Sequence, residues 1–149
     1  MDSVRPTGTF EVRGETLEYA VAGSGTPTVV LVNGAGGPLA GWGRIWGALG
    51  SRTSTFAYNR PGIGGSSKPA MPQAGSHLVS SLTALLTEAQ QPPPYLMVGH
   101  SLGGLIVNLF ARTYPALVAG AVLIEATAPG DPERMAQHET RLQRLIRGM

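Results

Sequence analysis

The sequence predicts an α/β protein: a three-layer sandwich with helices on both faces of a mostly parallel sheet. Three observations predict it. Strand-like and helix-like stretches alternate between residues 28 and 124, as parallel βαβ units require. Thr28–Val32 is an unbroken β-branched and apolar run, the pattern of a strand covered on both faces. A glycine-flanked serine, in Gly99-His100-Ser101-Leu102-Gly103, lies directly between a strand-like and a helix-like segment.

Taken in order, residues 9–12 and 16–21 alternate around Gly14 and read as an antiparallel hairpin at a sheet edge. Thr28–Val32 follows as the first doubly buried strand. Leu39, Trp42, Ile45, Trp46 and Leu49 then recur at helical spacing. Residues 53–58 read as the fourth strand. Ser76 opens a helix whose Leu78, Leu82, Leu85, Leu86 and Ala89 make one apolar stripe, and Pro92-Pro93-Pro94 ends that unit. Residues 95–98 are the fifth strand, residues 101–114 a helix stopped by Pro115, and residues 119–124 the sixth strand. The last segment carries clear helix signals: Asp131 as N-cap, Pro132 at the first position and Glu133 near the positive end of the dipole. Met135, His138, Leu142, Leu145, Ile146 and Met149 share one face, which is expected to be buried.

With 149 residues, 42% of them apolar, the chain has the size of one compact domain spanning residues 1–149. The net charge of +2 includes no Lys/Arg cluster, so nucleic acid is not an expected partner even at a pI of about 9.4. There is no cysteine, which excludes disulfides, thiolate catalysis and cysteine-bound metals. Residues 1–10 lack a signal-peptide pattern and no apolar run reaches membrane-spanning length, so a cytoplasmic protein without a membrane partner is expected. The 21 glycines and 12 prolines fall between apolar segments and read as turn punctuation.

The chemistry concentrates at Ser101. G-x-S-x-G between a strand and a helix is the pattern of a nucleophile elbow. Such a sharp turn brings the serine's neighbours so close together that side chains there would clash, hence the glycines. Ser101 is thereby expected at an exposed, strained corner. The first N–H groups of the following helix face the same spot, which makes the Leu102 N–H a candidate oxyanion donor.

Three motifs in this order resemble the α/β-hydrolase superfamily, over residues 9–129. Leu31-Val32-Asn33-Gly34-Ala35-Gly36-Gly37 is similar to the H-G-x-G loop after that family's third strand, with Asn33 in place of the usual histidine. The resemblance implies a second oxyanion donor, the N–H of Ala35. Tyr58-Asn59-Arg60-Pro61-Gly62-Ile63-Gly64-Gly65-Ser66-Ser67 resembles the family's D-R-x-G-x-G-x-S turn, to which the resemblance gives an architectural role. The elbow is the third motif, followed in the family's order by Tyr114-Pro115 and by the strand ending at Ile124. The fold so implied is a sheet of the α/β-hydrolase type lacking its last two strands. A typical member continues with a cap, a seventh strand bearing the catalytic acid and an eighth preceding the catalytic histidine, so this chain is expected to be a truncated version.

A serine hydroxyl needs a base to take its proton. Of three histidines, His100 is expected to pack beneath the elbow and His77 to stand on the surface at a helix start. His138, on the apolar face of the last helix, is left as the candidate base. The choice of acid is narrow too, because Asp occurs only at Asp2 and Asp131. Glu125, at the carboxyl end of the sixth strand, is the candidate, with Asp131 as fallback. Ser101, Glu125 and His138 also keep the superfamily's chain order.

The expected function is that of a serine hydrolase, a carboxylesterase acting on small short-chain esters through an acyl-enzyme, with no metal or organic cofactor. The alternative is an impaired remnant that serves as a binding or interaction module. The sixth strand would form an open apolar edge, a pairing hazard. A homo-oligomer, with residues 131–149 as a contact element, is therefore expected.

Overall fold

The computed structural model describes residues 3–128. A six-stranded sheet runs in the order β1-β2-β4-β3-β5-β6. Its strands are β1 (Gly8–Val12), β2 (Glu15–Ala22), β3 (Thr28–Val32), β4 (Thr55–Tyr58), β5 (Tyr95–His100) and β6 (Val118–Ile124). The β1–β2 and β2–β4 pairs are antiparallel, whereas β4, β3, β5 and β6 lie parallel. The expected edge hairpin and the mostly parallel sheet are both present.

Alternation along the strands divides the core between two faces. On one face Val30, Val32, Phe56 and Met97 pack against α2 (Gly75–Glu88) and α3 (Leu102–Thr113) through Leu82, Leu85, Val107 and Phe110. On the other, Val29, Leu31, Ala57 and Val98 meet Trp42 and Trp46 of the segment before and within α1 (Gly43–Gly50). Each fully buried Val, Leu, Phe or Met among these contributes about 1.5–3 kcal/mol relative to exposure. Aromatic rings continue the first face toward the edge, Phe10 on Tyr19, Tyr19 on Phe56 and Phe56 on Tyr58, with centroids 5.2–6.2 Å apart.

Two helix boundaries differ from expectation. The helical spacing from Leu39 to Leu49 is realised as a 3-10 turn, Leu39–Trp42, running into α1, with Gly41 and Gly43 at the junction. Ser76 does not cap α2; Ala74 takes the N-cap position without a side-chain bond. The final segment, with Asp131, His138 and the apolar stripe from Met135 to Met149, lies outside the described residues. No described helix is long and apolar enough to cross a membrane.

From β3 the chain passes through α1 to β4 on one side, then through α2 to β5 on the other. The carboxyl ends of β3 and β5 therefore flank a topological switch point, where open α/β sheets form their ligand crevice. β6 is the edge of the described sheet, and its Val122, Leu123 and Ile124 are 40–48% exposed. The open apolar edge expected from the sequence is present among the described residues.

His77 corrects an expectation. It is buried rather than on the surface, with Nε2 2.5 Å from Glu15 Oε1 and 3.5 Å from Ser81 Oγ. Burial opposes ionisation of Glu15. The bond to His77, the Ala70 N–H at 3.1 Å and the Gln73 amide at 2.9 Å outweigh it, holding the carboxyl below its ordinary value of 4.5. A depressed carboxylate stabilises the fold fully above its unfolded value, and that contribution is lost as pH falls through the folded one. Unfolding free energy, measured in urea, should therefore decline below about pH 4.5. Glu15→Gln should be less stable at pH 7 by about 1–3 kcal/mol and show a flatter acid limb.

Candidate active site

Ser101 stands between the last residue of β5 and the first of α3, with φ 52° and ψ −117°. A non-glycine residue rarely takes a positive φ, and such backbone costs of order 1–3 kcal/mol. Neighbouring segments hold it there. The Ser101 N–H donates to Ile124 O at 3.1 Å, while its carbonyl accepts from Gly104 N–H at 2.9 Å and Thr127 N–H at 3.1 Å. The surrounding backbone leaves no room for side chains: a methyl at Gly99 would lie 2.5 Å from Gly103 O, and one at Gly103 would collide with Val32 O. Leu102 opens α3, so its N–H has no acceptor within the helix and lies at the positive end of the dipole.

The loop after β3 reaches the same corner. A Cβ at Gly34 would be 3.3 Å from Ser101 Cβ, so this backbone lies against the serine's side chain. Gly37 N–H closes a turn on Gly34 O at 3.2 Å, with exposed Ala35 at its crest. Side chains hold the loop from three directions. Asn33 Nδ2 donates to Pro38 O at 2.9 Å, and Asn59 Oδ1 accepts from Leu39 N–H at 2.9 Å. Arg60 donates through Nη1 to Asn33 O and through Nη2 to Gly34 O, each at 2.5 Å. The turn expected to be architectural thus grips the candidate oxyanion loop, a contact that sequence spacing did not reveal.

The remaining candidates are placed less closely together. Glu125 follows β6 directly, is exposed and takes φ 43°, a second strained residue beside Ser101. Two of the three residues that bond to the Ser101 backbone, Ile124 and Thr127, lie on either side of Glu125 in the chain. His138 and Asp131 lie outside the described residues. His100 departs from expectation: it is exposed rather than packed beneath the elbow, and its Nδ1 lies against the Gly34 backbone, 3.1 Å from an added Cβ. A groove of about 630 Å³ between α2 and α3 shares Leu102 with the corner, and its walls include Leu78, Leu105 and Leu109. Among the described residues no cluster of three His, Asp or Glu side chains could hold a metal ion.

A glycine-bounded, strained serine between a parallel strand and its following helix, at the switch point of this sheet, defines a nucleophile-elbow protein of the α/β class. The chain belongs to the α/β-hydrolase family, whose model, described as alpha/beta hydrolase fold, matches residues 27–147. Among curated proteins it is similar to YqjL of Bacillus subtilis (strain 168), 32% identical over 130 residues that cover 83% of this chain and 51% of YqjL. It is also similar to the human 1-acylglycerol-3-phosphate O-acyltransferase ABHD5, 28% identical over 80% of this chain and 34% of that protein. The chain thus spans about half the length of these relatives or less. Its fold matches the crystal structure of the lip1 protein of Acinetobacter baumannii AYE with a TM-score of 0.79 at 24% identity, covering 87% of this chain and 44% of that one.

The elbow's packing makes a direct prediction. Gly103→Ala should lower stability by more than about 3 kcal/mol, the upper end of ordinary overpacking, because the obstacle is the Val32 backbone and not a movable side chain. Ala111→Gly, at a half-buried position in the last turn of the same helix, should cost only about 1 kcal/mol in the same urea titration.

Proposed function

We propose that this chain is a serine hydrolase that cleaves carboxylic esters of short-chain acids through an acyl-enzyme. The observation that carries the reading is Ser101 at φ 52°, ψ −117°, with the Gly34 backbone against its side chain and the unbonded end of α3 behind it.

In this reading Ser101 Oγ attacks the ester carbonyl carbon while its proton passes to the His138 imidazole. The electron pair displaced onto the carbonyl oxygen is held by the N–H groups of Leu102 and Ala35. Collapse of the tetrahedral species expels the alcohol, which takes the proton back from His138. Water, deprotonated by the same imidazole, then releases the acid and restores Ser101. Glu125 orients the imidazole and stabilises its charged form. Two features support an ester over a substrate needing a carboxylate nucleophile: position 101 is a hydroxyl, and the groove beside Leu102 is largely apolar.

p-Nitrophenyl acetate tests the reading. A burst of p-nitrophenol stoichiometric with protein is expected, abolished in Ser101→Ala. His138→Ala should slow turnover by about 10²–10⁴-fold, the usual share of a general base. Normal turnover in His138→Ala would overturn that assignment alone. No burst, and no labelling of Ser101 by a fluorophosphonate, would favour the non-catalytic binding module. In the same proposal a second copy covers the exposed β6 edge. Sedimentation velocity should then show a dimer or larger species, and a monomer would count against it.

A further inference from the structure

Arg60 is placed to do more than shape a loop. Its guanidinium spans two consecutive carbonyls, Asn33 O and Gly34 O, at 2.5 Å each. A peptide group is planar and trans, so fixing a carbonyl fixes the N–H on its other side. The Gly34 carbonyl belongs to the same peptide as the Ala35 N–H. Holding that oxygen on Arg60 therefore turns the Ala35 N–H away from the guanidinium.

The surrounding sequence makes such a clamp necessary. Gly34, Gly36 and Gly37 let the loop come within contact of Ser101, yet glycines also let a peptide rotate at little cost. Asn33 and Asn59 fix the loop's far end at Pro38 and Leu39, whereas the Gly34–Ala35 peptide itself is held at its carbonyl by the Gly37 N–H of the turn and by Arg60, the one side chain that reaches it. The sheet register supplies the placement. β3 and β4 pair Leu31 with Ala57, and continuing that register past the strand ends sets Arg60 beside Gly34. The only ion pair among the described residues is His77–Glu15, so the Arg60 charge also adds a positive field beside the loop.

We propose that Arg60 is the positioning residue for the second oxyanion donor: it sets the orientation of the Ala35 N–H through the Gly34 carbonyl. This rests on the serine-hydrolase reading for its catalytic consequence, though not for the geometry. Lysine, a compact charge on a flexible stem, lacks the planar fork with which the guanidinium fixes two carbonyls at once.

The test compares wild type, Arg60→Lys and Arg60→Gln by amide NMR and by p-nitrophenyl acetate kinetics. The Ala35 amide should shift and exchange faster in both variants, while amides of α2 and β5 stay in place. The maximum rate should fall about tenfold in Arg60→Lys and about a hundredfold in Arg60→Gln, the size of losing one oxyanion donor, with KM within twofold. An unmoved Ala35 amide in both folded variants overturns the proposal, as does a loss expressed wholly in KM. If wild type gives no burst, the hydrolase reading fails by itself, and the Ala35 amide still decides the positioning role.

Discussion

The backbone at Ser101 is the constraint on which the rest of this structure depends. A serine at φ 52° is unfavourable in isolation, and it persists here because segments distant in sequence bond or pack against it. The residues after β6 bond to it on one side, and Gly34, from the loop after β3, lies against its side chain. Strand order makes this convergence possible. β5 sits between β3 and β6, so all three carboxyl ends open at the same edge of the sheet. Packing density then dictates the glycines, because backbone meets backbone at distances that leave no space for Cβ.

That closeness creates a second requirement. Loops rich in glycine have to be held by something other than their own stiffness, and here polar side chains do it. Glu18 on β2 accepts from Asn59 Nδ2 at 2.6 Å and Gly65 N–H at 2.8 Å, while Ser66 and Ser67 take the β2 N–H groups of Glu18 and Thr16. Asn59 and Arg60 pass this anchorage on to the loop at residues 33–39. Order at the candidate site therefore begins in the antiparallel part of the sheet, on β2, with two strands between it and the β5 end that carries Ser101. The buried Glu15–His77 pair ties the same strand to the start of α2.

Much of the fold was legible because it rests on periodicity. Thr28–Val32 announced burial on both faces, and its alternate residues divide between the two cores. Ser101, Leu102 and the loop around Ala35 were legible because each lies in a short local motif. What escaped was contact between distant residues. His77 looked like a surface histidine because its partner, Glu15, is 62 residues away. Arg60 looked merely architectural for the same reason, since Asn33 and Gly34 come 27 and 26 residues earlier. The contact of the exposed His100 ring with Gly34 likewise joins residues far apart in the sequence.

The parts of the site that must be accurate to fractions of an ångström are backbone groups, and they are built between residues 31 and 104 by strand pairing and close packing. Oxyanion donors work only if they are aimed before charge develops, so they belong on rigid, bonded backbone. A base or its orienting acid needs only a side chain of suitable reach. In the proposed reading Glu125 has that second role; what the structure shows is that it leaves the sheet at φ 43°, between two residues that bond to the Ser101 backbone, and is exposed. A positive φ on a glutamate is a cost without benefit to packing at an exposed position. What it gives is direction: the chain after β6 swings across the start of α3, where Ala126 packs on Gly104 and Thr127 bonds to Ser101. The strained turn at Glu125 and the strained turn at Ser101 are therefore one device, each holding the other in place.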